Sequence, residues 1–208
     1  GRDGALKKDV AQRLEWLVRE ADQRGMVVMV GLFSQRKDQE LEGEAAIKRA
    51  VEETAAFLES RRLRNVFVDI AHEYDHTLRM DQSLFREPGG AEKKAKLTSW
   101  FKAAAPGIEV GVCPYEKSKT GDDYPGMDVR IIQKEMAIPS SGFVVNVESH
   151  KQDSYEDDGV FNEGHREFIL ADCERYKAAP NAALMFHAAF IQGVTGRSGT
   201  APHAELGG

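Results

Sequence analysis

Short apolar runs alternate along this chain with longer stretches in which apolar residues recur every three or four positions. The first such stretch places Leu6, Val10, Leu14, Leu17, Val18 and Ala21 at helical spacing with charges between them, predicting an amphipathic helix that ends near Gly25. A strand over 26–32 follows and breaks into the polar rim Phe33, Ser34, Gln35, Arg36, Lys37 and Asp38. A second helix, 44–62, carries Ile47, Val51, Phe57 and Leu58 inward. After it, 65–76 reads NVFVDIAHEYDH: Val66, Phe67 and Val68, then Asp69 before Ile70 and Ala71, and an abrupt change to His72, Glu73, Tyr74, Asp75 and His76. A third helix, 91–105, sets Leu97, Trp100 and Phe101 on one face and is closed by Pro106-Gly107. Beyond it the pattern predicts strands at 108–113, 128–133, 143–147 and 183–190, and a helix at 163–178 ended by Pro180-Asn181.

Strands alternating with helices imply a mainly parallel sheet in an α/β fold. Six strands, a chain that opens on a helix and no helix after the last strand predict a TIM (β/α)8 barrel lacking its front, with the equivalents of strands three to eight present. An open α/β sheet is the alternative if six strands are the whole design. The barrel is expected over 1–193 as one domain, with 194–208 as a flexible, Gly-rich tail.

Composition supports a globular reading: 208 residues, 41% of them hydrophobic, with 19 glycines. A net charge of −6 gives no pull toward nucleic acid or anionic membranes. No apolar run approaches the roughly 18 residues that span a bilayer, and the start GRDGALKKDV has no apolar signal core. The chain is expected to have lost an original N-terminus, since it begins on Gly. Two cysteines, Cys113 and Cys173, make no disulfide framework, although a single bridge between them stays open. Compartment and oligomeric state are left open by the sequence.

Candidate chemistry gathers where strands end. By the period of two, Phe67, Asp69, Ala71 and Glu73 share one face, as do Val144, Asn146 and Glu148. Each series finishes on a Glu at a strand's carboxyl end, where α/β barrels build their sites. Two glutamates across such a mouth suit glycoside hydrolysis, one giving a proton to the leaving oxygen and one attacking the anomeric carbon. Acidic residues number 34, so the spacing alone is weakly specific.

These two segments resemble the retaining glycosidases of the cellulase and β-galactosidase type. DIAHEYDH (69–76) is similar to that family's fourth-strand pattern and FVVNVES (143–149) to its seventh. The resemblance implies Glu73 as acid/base, Glu148 as nucleophile, a carbohydrate substrate and no cofactor or metal. His72 stands where the family carries Asn, and Phe186, His187 and Phe190 stand where it often has a Trp. A carbohydrate-binding barrel without catalysis is the alternative.

The same residues also spell H-E-x-x-H, His72 to His76, the zinc-protease motif. That motif needs a helix, and the preceding Val-, Phe- and Ile-rich run favours a strand. Among softer candidates, His150 and His187 could orient substrate hydroxyls or tune the carboxylates, and Tyr115 and Lys134 lie at strand ends where a sugar ring could be met. Tyr74 and His76 are expected in a loop over the site. Asp153, Glu156, Asp157 and Asp158 read as a solvated loop rather than a calcium site. Trp16 and Trp100 are assigned to packing. No phosphate-binding Gly loop appears, which weighs against nucleotide cofactors.

Overall fold

The computed structural model describes residues 1–76, 79–85, 90–115, 126–148 and 162–185. In order they form α1 (Lys8–Asp22), β1 (Val28–Gly31), α2 (Glu44–Ser60), β2 (Val66–His72), α3 (Gly90–Ala104), β3 (Glu109–Cys113), β4 (Val129–Ile132), β5 (Phe143–Asn146), α4 (Glu163–Lys177) and β6 (Ala182–Leu184). Every strand and helix expected from the pattern is present, most bounds agreeing within two residues. The last strand is shorter at its far end, and residues 186–190, including Phe186, His187 and Phe190, lie outside the described residues, as does the expected tail.

The chain divides into two compact units, Gly1–Ile131 and Ile132–Gly208. In the first, β1 pairs with β2, β2 with β3 and β3 with β4, all parallel. β2 is the most deeply set: Val68 and Ile70 have no exposed surface, and Val66 and Ala71 have almost none. A parallel strand with neighbours on both sides and helices over its faces has little solvent side, so apart from Asp69 the run Val66 to Ala71 is apolar instead of alternating. Ile47, Val51, Ala55 and Leu58 of α2, repeating at helical spacing, are fully buried, as is Phe101 of α3, and α2 packs on α3, with Lys96 paired to Glu44 and Lys48 near the Trp100 ring. Each of the larger side chains, Ile47, Val51, Leu58 and Phe101, contributes roughly 1.5–3 kcal/mol by leaving water.

In the second unit β5 pairs parallel with β6. Asn162 caps α4: its side chain accepts the His165 N–H at 3.0 Å, and its own N–H donates to His165 Nδ1 at 3.2 Å. A His thus fills the place that Glu or Gln usually takes in such a box.

The barrel expectation is overturned. Strand order simply follows the sequence, β1 to β6, so among the described residues the order has two ends and does not close. A (β/α)8 barrel also needs a helix after each strand. The connection from β4 to β5, residues 133–142, is only turns and bends. The described strands form a parallel α/β sheet in sequence order, not strands three to eight of a TIM barrel.

The packing roles of the first helix and of Trp16 also need correction. In α1 only Ala11 and Val18 are buried, while Val10 and Leu17 are exposed and Trp16 is 66% exposed. Periodicity defines an apolar stripe but not whether a neighbour covers it. Trp100 is half-buried, with Lys48 and Lys96 ammonium groups 5.9 and 5.3 Å from its ring centre.

Gly111 shows how closely β3 and β4 approach: a Cβ there would sit 2.5 Å from the Val129 carbonyl oxygen and 2.9 Å from Ile131. Gly111→Val is therefore expected to cost about 3 kcal/mol, read as a lower urea midpoint. A second expectation concerns the N-terminal segment, which is tied down by the Leu6 N–H bond to Glu53 Oε2, 2.8 Å, beside Arg49 Nε on Oε1, 2.6 Å. The Leu6 hydrogen bond, then Arg49, hold the Glu53 carboxyl below its ordinary value of 4.5. A folded value depressed in this way stabilises above 4.5 and is lost as pH falls through the lowered value. Glu53→Gln should lower stability at neutral pH, and the difference from wild type should shrink on acidification, as urea midpoints at the two pH values would show.

Candidate functional site

Asp69 lies within β2 with no exposed surface. Strict alternation would put it and His72 on opposite faces. Pairing prevents this: Asp69 stands opposite Gly111 and His72 opposite Cys113, so three steps on β2 meet two on β3. The extra residue makes a bulge, which re-aims the side chains that follow. His72 Nδ1 consequently lies 2.8 Å from Asp69 Oδ2, while Asp69 Oδ1 accepts the Cys113 N–H at 3.2 Å. The strand exit is held from both sides, since the His72 N–H donates to Phe33 O at 2.8 Å and the Glu73 N–H to Cys113 O at 2.7 Å.

At Glu73 the backbone enters the left-handed region, φ +53°. For a residue with a long side chain this costs roughly 1–2 kcal/mol, and such strain persists where the surroundings enforce it. Those surroundings are the Cys113 bond and the turn that follows, in which Glu73 O accepts the His76 N–H at 3.0 Å. The carboxyl group is buried, the residue being 4% exposed, and Gln35 Nε2 donates to its Oε2. Arg79 Nη1 donates to Gln35 Oε1 at 2.7 Å. A guanidinium can only donate, so it claims the amide oxygen and leaves the amide nitrogen for the carboxylate. The chain Arg79, Gln35, Glu73 is thus directional.

Two loops support this chain. Asp38, buried after β1, accepts the N–H groups of Asp81 and Gln82 on Oδ2 at 2.6 and 2.7 Å. Arg36 N–H and Gln39 Nε2 both donate to Arg79 O, at 2.8 and 3.1 Å. The polar rim after β1 and the segment after β2 are in this way laced together, which sets where Gln35 and Arg79 stand.

Of the other residues singled out in this unit, His76 and Tyr115 stack with ring centres 4.2 Å apart, and the Tyr115 N–H donates to Asp75 Oδ1 at 2.6 Å. Tyr115 is 40% exposed, whereas His76 is buried with an Nδ1 that has no hydrogen-bond partner among the described residues. Tyr74 departs from expectation. It is fully buried, with Lys94 Nζ 2.8 Å from its hydroxyl and 4.0 Å from its ring centre, and so forms part of the core instead of a loop over the site. The helical H-E-x-x-H reading also fails, because His72 ends a strand and residues 73–75 form a turn. The two imidazoles have separate duties, one on Asp69 and one on Tyr115.

In the second unit Asn146, with no exposed surface, organises the exit of β5. Its Nδ2 donates to Lys134 O at 3.0 Å and to the Tyr176 hydroxyl at 2.7 Å, and its Oδ1 accepts the Glu148 N–H at 3.0 Å. The Lys134 N–H donates to Glu148 O at 2.6 Å, with Lys134 itself left-handed at φ +54°. Burial, chiefly, pushes the Tyr176 phenol above its usual range. Lys134 and Glu148 are thus neighbours, both half-buried. His150, His187 and the acidic residues Asp153, Glu156, Asp157 and Asp158 lie outside the described residues.

Sequence reasoning placed Gln35 in a polar rim and Cys113 in a strand without giving either a role, and passed over Arg79 and Lys94. Asp69 carried the one readable signal, a charge in an otherwise apolar run. The chain matches no protein-family model and no curated protein.

If Glu73 is strained for a purpose other than stability, removing its side chain should not weaken the fold. Glu73→Gly, which relieves the left-handed cost, is expected to unfold at an equal or higher urea concentration than wild type. A loss beyond about 1 kcal/mol would identify the carboxylate as a structural anchor.

Proposed function

We propose that the chain hydrolyses O-glycosidic bonds with retention of configuration, as a divergent relative of the cellulase and β-galactosidase type of enzyme. The observation that carries this reading is Glu73: a buried carboxyl group at a strand's carboxyl end, in a strained backbone conformation, under the Gln35 amide. Strain and a dedicated donor at one carboxylate are what a reacting group needs and what a surface Glu does not have. In the proposed reaction Glu73 gives its proton to the leaving oxygen as Glu148 attacks the anomeric carbon. Glu73 then takes a proton from the water that releases the sugar, and Glu148 leaves as a free carboxylate. No cofactor enters this scheme. Gln35 and Arg79 hold Glu73 in place, and the exposed Tyr115 ring, backed by His76, offers an apolar face to a sugar.

Aryl glycosides of several sugars test the proposal. Wild type should release the aryl alcohol, and Glu73→Gln should lose roughly 10²–10⁴-fold on substrates with poor leaving groups and much less on activated ones, which need no acid. Azide should rescue Glu73→Ala to give a glycosyl azide of retained configuration, and Glu148→Ala to give the inverted product. Hydrolysis unaffected by Glu73→Gln, or none by wild type on any sugar, overturns the reading.

A further inference from the structure

The Asp69, His72 and Cys113 side chains form a second constellation that the hydrolytic scheme does not use. A carboxylate oxygen, an imidazole nitrogen and the thiol sulfur all lie within 4.8 Å of one another. We propose that these three residues bind one divalent transition-metal ion of the zinc class. The proposal stands whether or not the chain cleaves glycosides.

Three independent features support it. The first is the donor set: thiolate, imidazole and carboxylate together suit a borderline-soft ion such as Zn²⁺ or Co²⁺ and disfavour Mg²⁺ or Ca²⁺. The second is geometry. Tetrahedral bonds of about 2.0–2.3 Å place neighbouring donors roughly 3.3–3.8 Å apart, so donors that lie within 4.8 Å of one another need to close by no more than about 1.5 Å, while His72 Nδ1 and Asp69 Oδ2, now 2.8 Å apart, would separate slightly to admit the ion. Both strands are fixed there by the His72 N–H bond to Phe33 O and the Cys113 N–H bond to Asp69 Oδ1, so the donors converge from paired backbone.

The third feature is charge. Asp69 is fully buried, and among the described residues its two oxygens receive His72 Nδ1 and the Cys113 N–H. A carboxylate this far from water is stabilised by hydrogen bonds and further by a positive partner. A metal ion would supply such a partner and would also take the buried Cys113 thiol, which forms no disulfide and lies 3.7 Å from Pro114 O. Binding would send the thiol proton, and any on His72 Nδ1, to solvent. Three protein ligands leave a fourth position open, and the His72 side chain, 19% exposed against none for Asp69, marks the side from which an ion or a water would enter.

Chelator-treated full-length protein titrated with Co²⁺ alone provides the test. The expected result is one equivalent bound, with visible bands of tetrahedral cobalt and a near-ultraviolet sulfur-to-cobalt charge-transfer band. That band should vanish in Cys113→Ser and persist in Cys173→Ser, the other free cysteine. His72→Ala should weaken binding by at least about tenfold. Should Cys113→Ser fail to fold, X-ray absorption of the zinc-loaded wild type decides: one sulfur at about 2.3 Å with nitrogen and oxygen at about 2.0–2.2 Å supports the site. A shell of oxygen and nitrogen alone, or no bound equivalent of Co²⁺, overturns it.

Discussion

A carboxylate buried in the middle of a strand is the constraint on which the first unit turns. Asp69 cannot be left unpaired away from water, and its partners come from the two places that can reach it: the next strand's backbone and a His three residues on. Bringing that His round requires the extra residue in β2, and the extra residue sets the direction in which the chain leaves the sheet. The left-handed turn at Glu73, its bond to Cys113 O and the stacking of His76 on Tyr115 all follow that exit. One buried charge thus shapes the local pairing, the bend and the presentation of the polar cluster.

Amides play the same part in both units. Gln35 and Asn146 are each used at both ends of the side chain, the oxygen accepting and the nitrogen donating, so neither can flip without losing its partners. Each lies beside a glutamate, Gln35 through the carboxyl group of Glu73 and Asn146 through the backbone of Glu148. The first arrangement governs where a carboxylate points, and the second governs where its main chain runs.

The elements were legible because their signals are local. Apolar runs such as 66–71 and helical stripes such as Ile47, Val51 and Leu58 reflect burial that the residues themselves require. Closure of a sheet is not local: it depends on pairing between the first and last strands and on a helix after each strand, and the turns between β4 and β5 supply no such helix. The exposure of Trp16 and Leu17 and the burial of Tyr74 likewise depend on what packs against them, not on spacing. The polar switch at 72–76 showed where side chains would gather. It did not show that Gln35 and Arg79, from two different loops, would reach Glu73, since long polar side chains leave no periodic trace.

Sequence-ordered pairing also bears on how the chain acquires its structure. Each strand of the first unit finds its partner in the strand just before or just after it, so no strand has to wait for a distant part of the chain. Parallel sheets are slow to form when their partners are far apart along the backbone, because loop closure must precede any reward from pairing. Here β1, α2 and β2 can assemble as soon as they have left the ribosome, and β3 can add to a template already in place. The bulge at Asp69 completes only on that addition, when the Cys113 N–H arrives, so the polar cluster would mature after the sheet beneath it has begun to grow.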